Sequence, residues 1–160
     1  MAHSFLDAVR ERVVIFDGAT GTNLQVRELT ADDYGGPELE GCPEILNVSR
    51  PDVIADLHRS FFEVGVDVVE TNSFGALPWA LDEYGLGDRT EELARISAEI
   101  AREVASGFDG FVAGSLGPTN KSMPSLGWIK FAPMRDGYEL AARGLLAGGV
   151  DLFIIETVQD

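Results

Sequence analysis

Four short apolar runs rich in β-branched residues, at 13–16, 66–69, 111–113 and 150–155, constrain the fold more than any other feature of the chain. None alternates apolar with polar residues as a strand with one wetted face would, so each reads as a strand covered on both faces. That is the signature of a parallel sheet with helices laid over it, or of a barrel. Helical patterns fill the gaps. Ser49 stands where it can cap a helix with Pro51 near its first turn, Ile54, Leu57 and Phe61 on one face and Gly65 as its end. A second helix begins near Thr90, with Leu93, Ile96, Ile100 and Val104 as its stripe and Gly107 as its stop. A third is predicted over 135–147, its stripe being Tyr138, Ala142, Leu145 and Leu146, before Gly148 and Gly149. The predicted order is βαβαβαβ.

Two of these units repeat almost residue for residue. Gly65-Val66-Asp67-Val68-Val69-Glu70-Thr71 is echoed by Gly149-Val150-Asp151-Leu152-Phe153-Ile154-Ile155-Glu156-Thr157, with two more apolar residues in the second copy. Each copy passes from a helix-ending glycine through a strand to Glu-Thr at the strand's carboxyl end. That is the end where α/β proteins build their sites, although Glu-Thr at such a place can also do no more than open a turn. Strand starts lie about 40 residues apart or more, so four βα units nearly use up 160 residues. A complete (βα)8 barrel takes ~250. The expectation is an α/β chain forming the first half of a TIM barrel, with residues 1–160 as one incomplete barrel domain.

Composition narrows the function. Twelve Lys and Arg against 27 Asp and Glu give a formal net charge of −15, which argues against a nucleic-acid or anionic-membrane partner. No apolar run approaches the ~18 residues of a membrane span, and cytoplasmic location is the default expectation. Cys42 is the one cysteine, so neither an internal disulfide nor a cysteine-rich metal site can be assembled.

Polar clusters follow the predicted strands. After the first comes Asp17-Gly18-Ala19-Thr20-Gly21-Thr22, whose glycines permit a sharp turn and whose N–H groups can receive a carboxylate or phosphate. The stretch lacks the Gly-Lys-Ser/Thr ending of a phosphate loop and the G-x-G-x-x-G spacing of a dinucleotide fingerprint. Asp17 capping a tight turn is its plain structural reading. Residues 71–75 and 115–120 follow the second and third strands. Asp17, Glu70 and Glu156 would then converge at one mouth, and three acids without a basic cluster suit an ammonium group or a hard cation. His58 lies inside a helix and reads as a packing residue, and His3 is terminal. Trp79 and Trp128 read as packing residues, although Trp128 could shield a site.

Taken together, residues 12–22, 47–62, 66–76, 113–120 and 148–160 closely resemble the amino-terminal homocysteine-binding domain of the cobalamin-dependent methionine synthase family. Asp-Gly-Ala-x-Gly-Thr, Glu-Thr-Asn-x-Phe-Gly and Gly-Val-Asp-x-x-x-x-Glu-Thr, in that order, are specific as a set. The resemblance implies a (βα)8 barrel that binds homocysteine and zinc and methylates the homocysteine sulfur. In that family one cysteine near the end of the sixth strand and an adjacent pair near the end of the eighth hold the zinc. Neither strand is present here, and Cys42 matches none of those ligands. Zinc matters because a thiol of pKa ~8.5 is a poor nucleophile until the metal removes its proton. By resemblance, Asp17 and Glu156 hold the substrate ammonium group and the N–H groups around Gly18 and Ala19 receive its carboxylate. Asn72 and Ser115 are second-rank substrate contacts. Methylcobalamin and methyltetrahydrofolate belong to later folate- and cobalamin-binding modules of the same polypeptide, and a related branch uses other methyl donors. The chain alone is therefore expected to hold no catalytic residue, no zinc and no cobalamin, and to lack methyltransferase activity.

Two other readings remain open at this level. One is a magnesium-dependent phosphohydrolase with Asp17 as nucleophile or base and Glu70 and Glu156 as oxygen ligands. The other is a non-catalytic α/β domain that binds an amino acid, or a half-barrel that pairs with a second copy.

Overall fold

The computed structural model describes residues 4–119 and 129–158. His3, Asn120 and Trp128 lie outside the described residues. The helices are α1 (Phe5–Glu11), α2 (Thr20–Gln25), α3 (Ala31–Tyr34), α4 (Leu46–Ser49), α5 (Pro51–Glu63), α6 (Pro78–Leu81), α7 (Thr90–Ser106) and α8 (Phe131–Gly148). Strands β1 (Val68–Glu70), β2 (Phe111–Leu116) and β3 (Leu152–Ile155) form a parallel sheet in sequential order. Val68 pairs with Phe111, and Ala113 with Leu152.

Residues 13–16 do not form the fourth strand that their composition predicts. They lie beside β1, held by one parallel bridge between Phe16 and Val68. The pairing goes no further because the next donor along β1, the Glu70 N–H, goes to the Asp17 carboxylate at 3.0 Å rather than to a main-chain carbonyl. Nor are both faces of the outer segments covered: Val13, Ile15, Phe153 and Ile155 are exposed.

The sheet's two faces are sorted by the two-residue period of a strand. Val68, Phe111 and Ala113 point to one face, where Leu152, Ile154, Val14 and Phe16 join them. Helix α1 covers this inner face with Ala8 and Phe5, whose ring meets Phe16 and Phe111 edge-on at 6.2 and 5.7 Å. Val69 and Val112 point the other way, into Phe62, Ala101, Val104 and Ala105 of α5 and α7. Continuing the inner-face alternation beyond the apolar residues brings Glu70, Ser115 and Glu156 to the carboxyl ends of β1, β2 and β3.

Helix ends depart from expectation in two places. Ser49 closes α4, its hydroxyl donating to the Ile45 carbonyl, and the residue before α5 is Arg50, which provides no side-chain cap. Helix α8 starts at Phe131, four residues before the predicted 135, because Pro133 sits in a first turn where no N–H is required. Its packing face also differs. Leu146 is exposed, whereas Gly144 and Gly148 are buried so close to α7 that an added Cβ would lie 2.3 Å from the Glu91 carbonyl oxygen and 2.4 Å from that of Arg95. On α7, Ile96 and Ile100 are only half-buried and the buried face runs through Ala94, Ser97, Ala98 and Ala101.

Candidate functional site

A cavity of about 510 Å³ opens at the carboxyl end of the sheet's inner face. Asp17, Gly18 and Ala19 line it from the loop after the first segment, Glu70 and Asn72 from the end of β1, Ser115 from β2 and Glu156 from just past β3. All six residues predicted to touch substrate thus meet around one space, as do the three acids expected to converge.

Asp17 is held by the Glu70 N–H, which donates to Oδ2 at 3.0 Å. Burial pushes its carboxyl up to about 7, with repulsion from Glu70 and Glu156 adding to the shift against the lowering effect of that hydrogen bond. Glu70 is likewise pushed to about 7, by burial first and then by the negative charge of Glu156 and a hydrogen bond with it. Two carboxyls this close resist ionising together unless a cation arrives. The Ser115 hydroxyl, itself buried, donates to Glu156 Oε1 and fixes that carboxyl's orientation. No Lys, Arg or His is among the described residues lining the cavity. Behind Ala19, the first N–H groups of α2 lack acceptors within the helix and are available to an anion.

Asn72 is differently employed. Its Nδ2 donates to the Pro43 carbonyl at 2.8 Å and to Asn47 Oδ1 at 3.1 Å, while Asn47 Nδ2 donates back to the Asn72 carbonyl at 2.9 Å. Its amide therefore binds two loops together.

The acid that motif reasoning missed is Glu44. It enters the same cavity from the 43–45 turn and is 6% exposed. Burial raises its pKa, opposed by donors that include Gly75 N–H. The available signal was a lone charge inside the apolar stretch Cys42-Pro43-Glu44-Ile45-Leu46.

Metal chemistry does not fit these residues. Among the described residues no group of three or more His, Cys, Asp or Glu could hold a metal ion. Cys42 is fully buried and its thiol donates to Glu44 Oε2 at 3.7 Å. Burial, and then the Glu44 charge, push that thiol up to about 11, the reverse of what a zinc thiolate requires. The magnesium site predicted as an alternative from Asp17, Glu70 and Glu156 is not formed as a metal-holding set either. His58 is packed with neither ring nitrogen hydrogen-bonded, and burial lowers its pKa to about 4. Trp79 is buried against the α8 side, edge-on to Tyr138 at 5.6 Å. No helix among the described residues is long and apolar enough to cross a membrane.

Comparison with known proteins points one way. The family model for homocysteine S-methyltransferase matches residues 14–160. The chain is 46% identical to methionine synthase of Mycobacterium tuberculosis (strain ATCC 25618 / H37Rv) over 160 residues, 97% of this chain and 13% of that protein. It is 44% identical to methionine synthase of Mycobacterium leprae (strain TN), with the same coverage. The chain thus spans about an eighth of the length of these curated relatives. Among solved structures, the metallated homocysteine methyltransferase MmuM from Escherichia coli superposes with a TM-score of 0.74 at 21% identity, over 94% of this chain and 56% of that one. The oxidized form gives 0.72 at 22% identity, over 91% and 53%. These likenesses carry the fold: parallel strands in sequential order that make up part of a TIM barrel.

Proposed function

Because the chain belongs to the homocysteine S-methyltransferase family, we propose that its acidic cavity grips the amino-acid end of homocysteine, as the substrate-binding part of a methionine synthase. Asp17 and Glu156 hold the ammonium group in this reading. The N–H groups of Gly18 and Ala19 receive the carboxylate, Ser115 keeps Glu156 aimed, and Asn72 fixes the rim. The observation that carries the reading is the convergence of Asp17, Glu70 and Glu156 on a cavity whose described lining holds no cation. An ammonium group entering there relieves the repulsion that adds to burial in raising the Asp17 and Glu70 carboxyls to about 7. The sulfur then points away from the acids, towards whatever activates it.

Activation lies with groups that this chain does not supply. Zinc, which makes a thiol nucleophilic by removing its proton, has no ligand set among the described residues, and methylcobalamin and the folate- and cobalamin-binding modules belong in this reading to the remainder of a longer methionine synthase. Reaction in the cytoplasm is part of the same proposal. The chain alone is expected to transfer no methyl group and to bind no stoichiometric zinc; one tightly bound zinc per chain would overturn that.

Calorimetric titration with homocysteine tests the binding role. Asp17→Asn and Glu156→Gln should each weaken binding by roughly 10- to 100-fold, the worth of about 1.5–3 kcal/mol for a hydrogen bond to a charged group. Unchanged affinity in both variants would remove the proposal.

A further inference from the structure

We propose that Glu44 is a positioning residue for homocysteine, a strut that holds the 71–75 turn where it fixes Ser115 and, through Ser115, Glu156. The inference rests on the homocysteine reading above. Both Glu44 oxygens already serve protein donors: the Gly75 N–H reaches Oε1 at 2.7 Å and the Cys42 thiol reaches Oε2. The fit is close, since a Cβ on Gly75 would sit 2.7 Å from Oε1. Asn47 and Asn72 tie the same two loops together beside it.

From the turn, hydrogen bonds run directly to the end of β2. The Ser73 hydroxyl donates to the Ser115 carbonyl at 2.8 Å, and the Ser115 N–H donates to Thr71 Oγ1 at 3.0 Å. Ser115 then donates to Glu156. The links from Gly75 to Glu156 run through the 71–75 turn and Ser115 alone, so a turn released from Glu44 releases the aim of Glu156 as well. What Glu44 supplies is an acceptor and a filled volume rather than a charge facing the ligand. A neutral amide of the same shape should replace it: Glu44→Gln keeps a carbonyl oxygen for Gly75 and sets its NH2 against the weakly accepting Cys42 sulfur.

The test compares the 160-residue chain with its Glu44→Gln and Glu44→Ala variants by homocysteine calorimetry and amide hydrogen exchange. Glu44→Ala should bind about tenfold more weakly and lose protection at the Gly75 and Ser115 amides together, while Glu44→Gln stays within about twofold of the parent in both. Equal loss in the two variants would mean a charge contact and overturn the proposal, as would unchanged affinity in Glu44→Ala. Failure of the parent chain to bind homocysteine would sink the functional reading separately. The exchange data then decide alone: joint loss at Gly75 and Ser115 supports the strut, and loss confined to Gly75 overturns it.

Discussion

The two Gly-Val-Asp segments begin alike and end differently. In each, a glycine at φ +95 or +94 turns the chain out of its helix. Asp67 then donates its N–H to the Ile15 carbonyl at 2.8 Å and accepts the Ile15 N–H on its carboxylate, and Asp151 treats Val112 the same way. Arginines complete both clips, Arg12 on Asp67 and Arg102 on Asp151. Beyond the clip, β1 runs between the 13–17 segment and β2 with Val68 and Val69 wholly buried. Strand β3 has β2 on one side, and Phe153 and Ile155 stand open on its outer face. The aspartate in the repeat is thus a device for registering neighbouring strands, and the glutamate that ends each strand, three positions later in the first copy and five in the second, belongs to the cavity.

The helices that feed the two copies widen the contrast. Helix α5 packs through large side chains, Leu57 among Leu24, Leu46, Val53 and Ile54. Helix α8 meets α7 through glycine. Substitutions in opposite directions should therefore both destabilise. Leu57→Ala is expected to cost about 2–5 kcal/mol, and Gly144→Ala about 1–3 kcal/mol despite alanine's better helix propensity. Urea unfolding midpoints measure both; a stabilising Gly144→Ala would show that the helices can separate at no cost.

Protons divide the first copy's neighbourhood in a similar way. His58 on α5 titrates near 4 in the folded chain against 6.5 when exposed, so the unfolded state binds the extra proton between those values. Its contribution to stability is complete above 6.5 and is lost as pH falls towards 4, a difference of about 3 kcal/mol in the limit. Glu70 has the opposite sign. Its folded value near 7 exceeds the ordinary 4.5, so the folded chain keeps a proton that the unfolded chain has released, and stability declines as pH rises from about 4.5 to 7. Between about 4.5 and 6.5 the two slopes oppose, so His58→Leu should remove the rising component of a stability–pH curve and Glu70→Gln should lessen the falling one, which Asp17 shares. Parallel curves for parent and variants would break the assignment.

The two aspartate clips should also separate. Asp151→Ala strands the N–H of Val112, which is fully buried, and should cost about 1–3 kcal/mol. Asp67→Ala frees the N–H of half-exposed Ile15, where water can replace the carboxylate, and should cost about 0.5–1 kcal/mol. Thermal unfolding of both variants ranks them, and equal losses would mean that burial of the partner strand does not set the value of the clip.

What was legible follows from locality. The parallel sheet and the acids at its carboxyl end could be read because strand period and strand-end position are encoded in adjacent residues, as in Val68-Val69-Glu70. The failure of 13–16 to become a strand could not, because the Asp17 carboxylate that takes the next ladder donor is 53 positions from that donor, the Glu70 N–H. The buried face of α8 was misplaced because periodicity counts large apolar residues such as Leu146, whereas close helix approach selects glycine and alanine. Glu44 left no motif at all: it enters the cavity only because the 42–47 loop folds against the 71–75 turn.

The smallest expected effect tests the open side of the second copy. Ile155 is 67% exposed, so Ile155→Ser removes little buried area and should change monomer stability by no more than about 0.5 kcal/mol. Among the described residues β3 pairs along one edge only, and Ile155 stands there beside Phe153 and Val158, both exposed as well. Such an edge favours pairing with another strand, and a polar side chain there weakens the contact without disturbing the fold. Sedimentation of the chain across a concentration series should therefore shift towards monomer in Ile155→Ser while its unfolding midpoint at low concentration stays put. A large fall in that midpoint would mean that Ile155 is buried in the folded chain, and the contrast between a covered β1 and an open β3 would collapse.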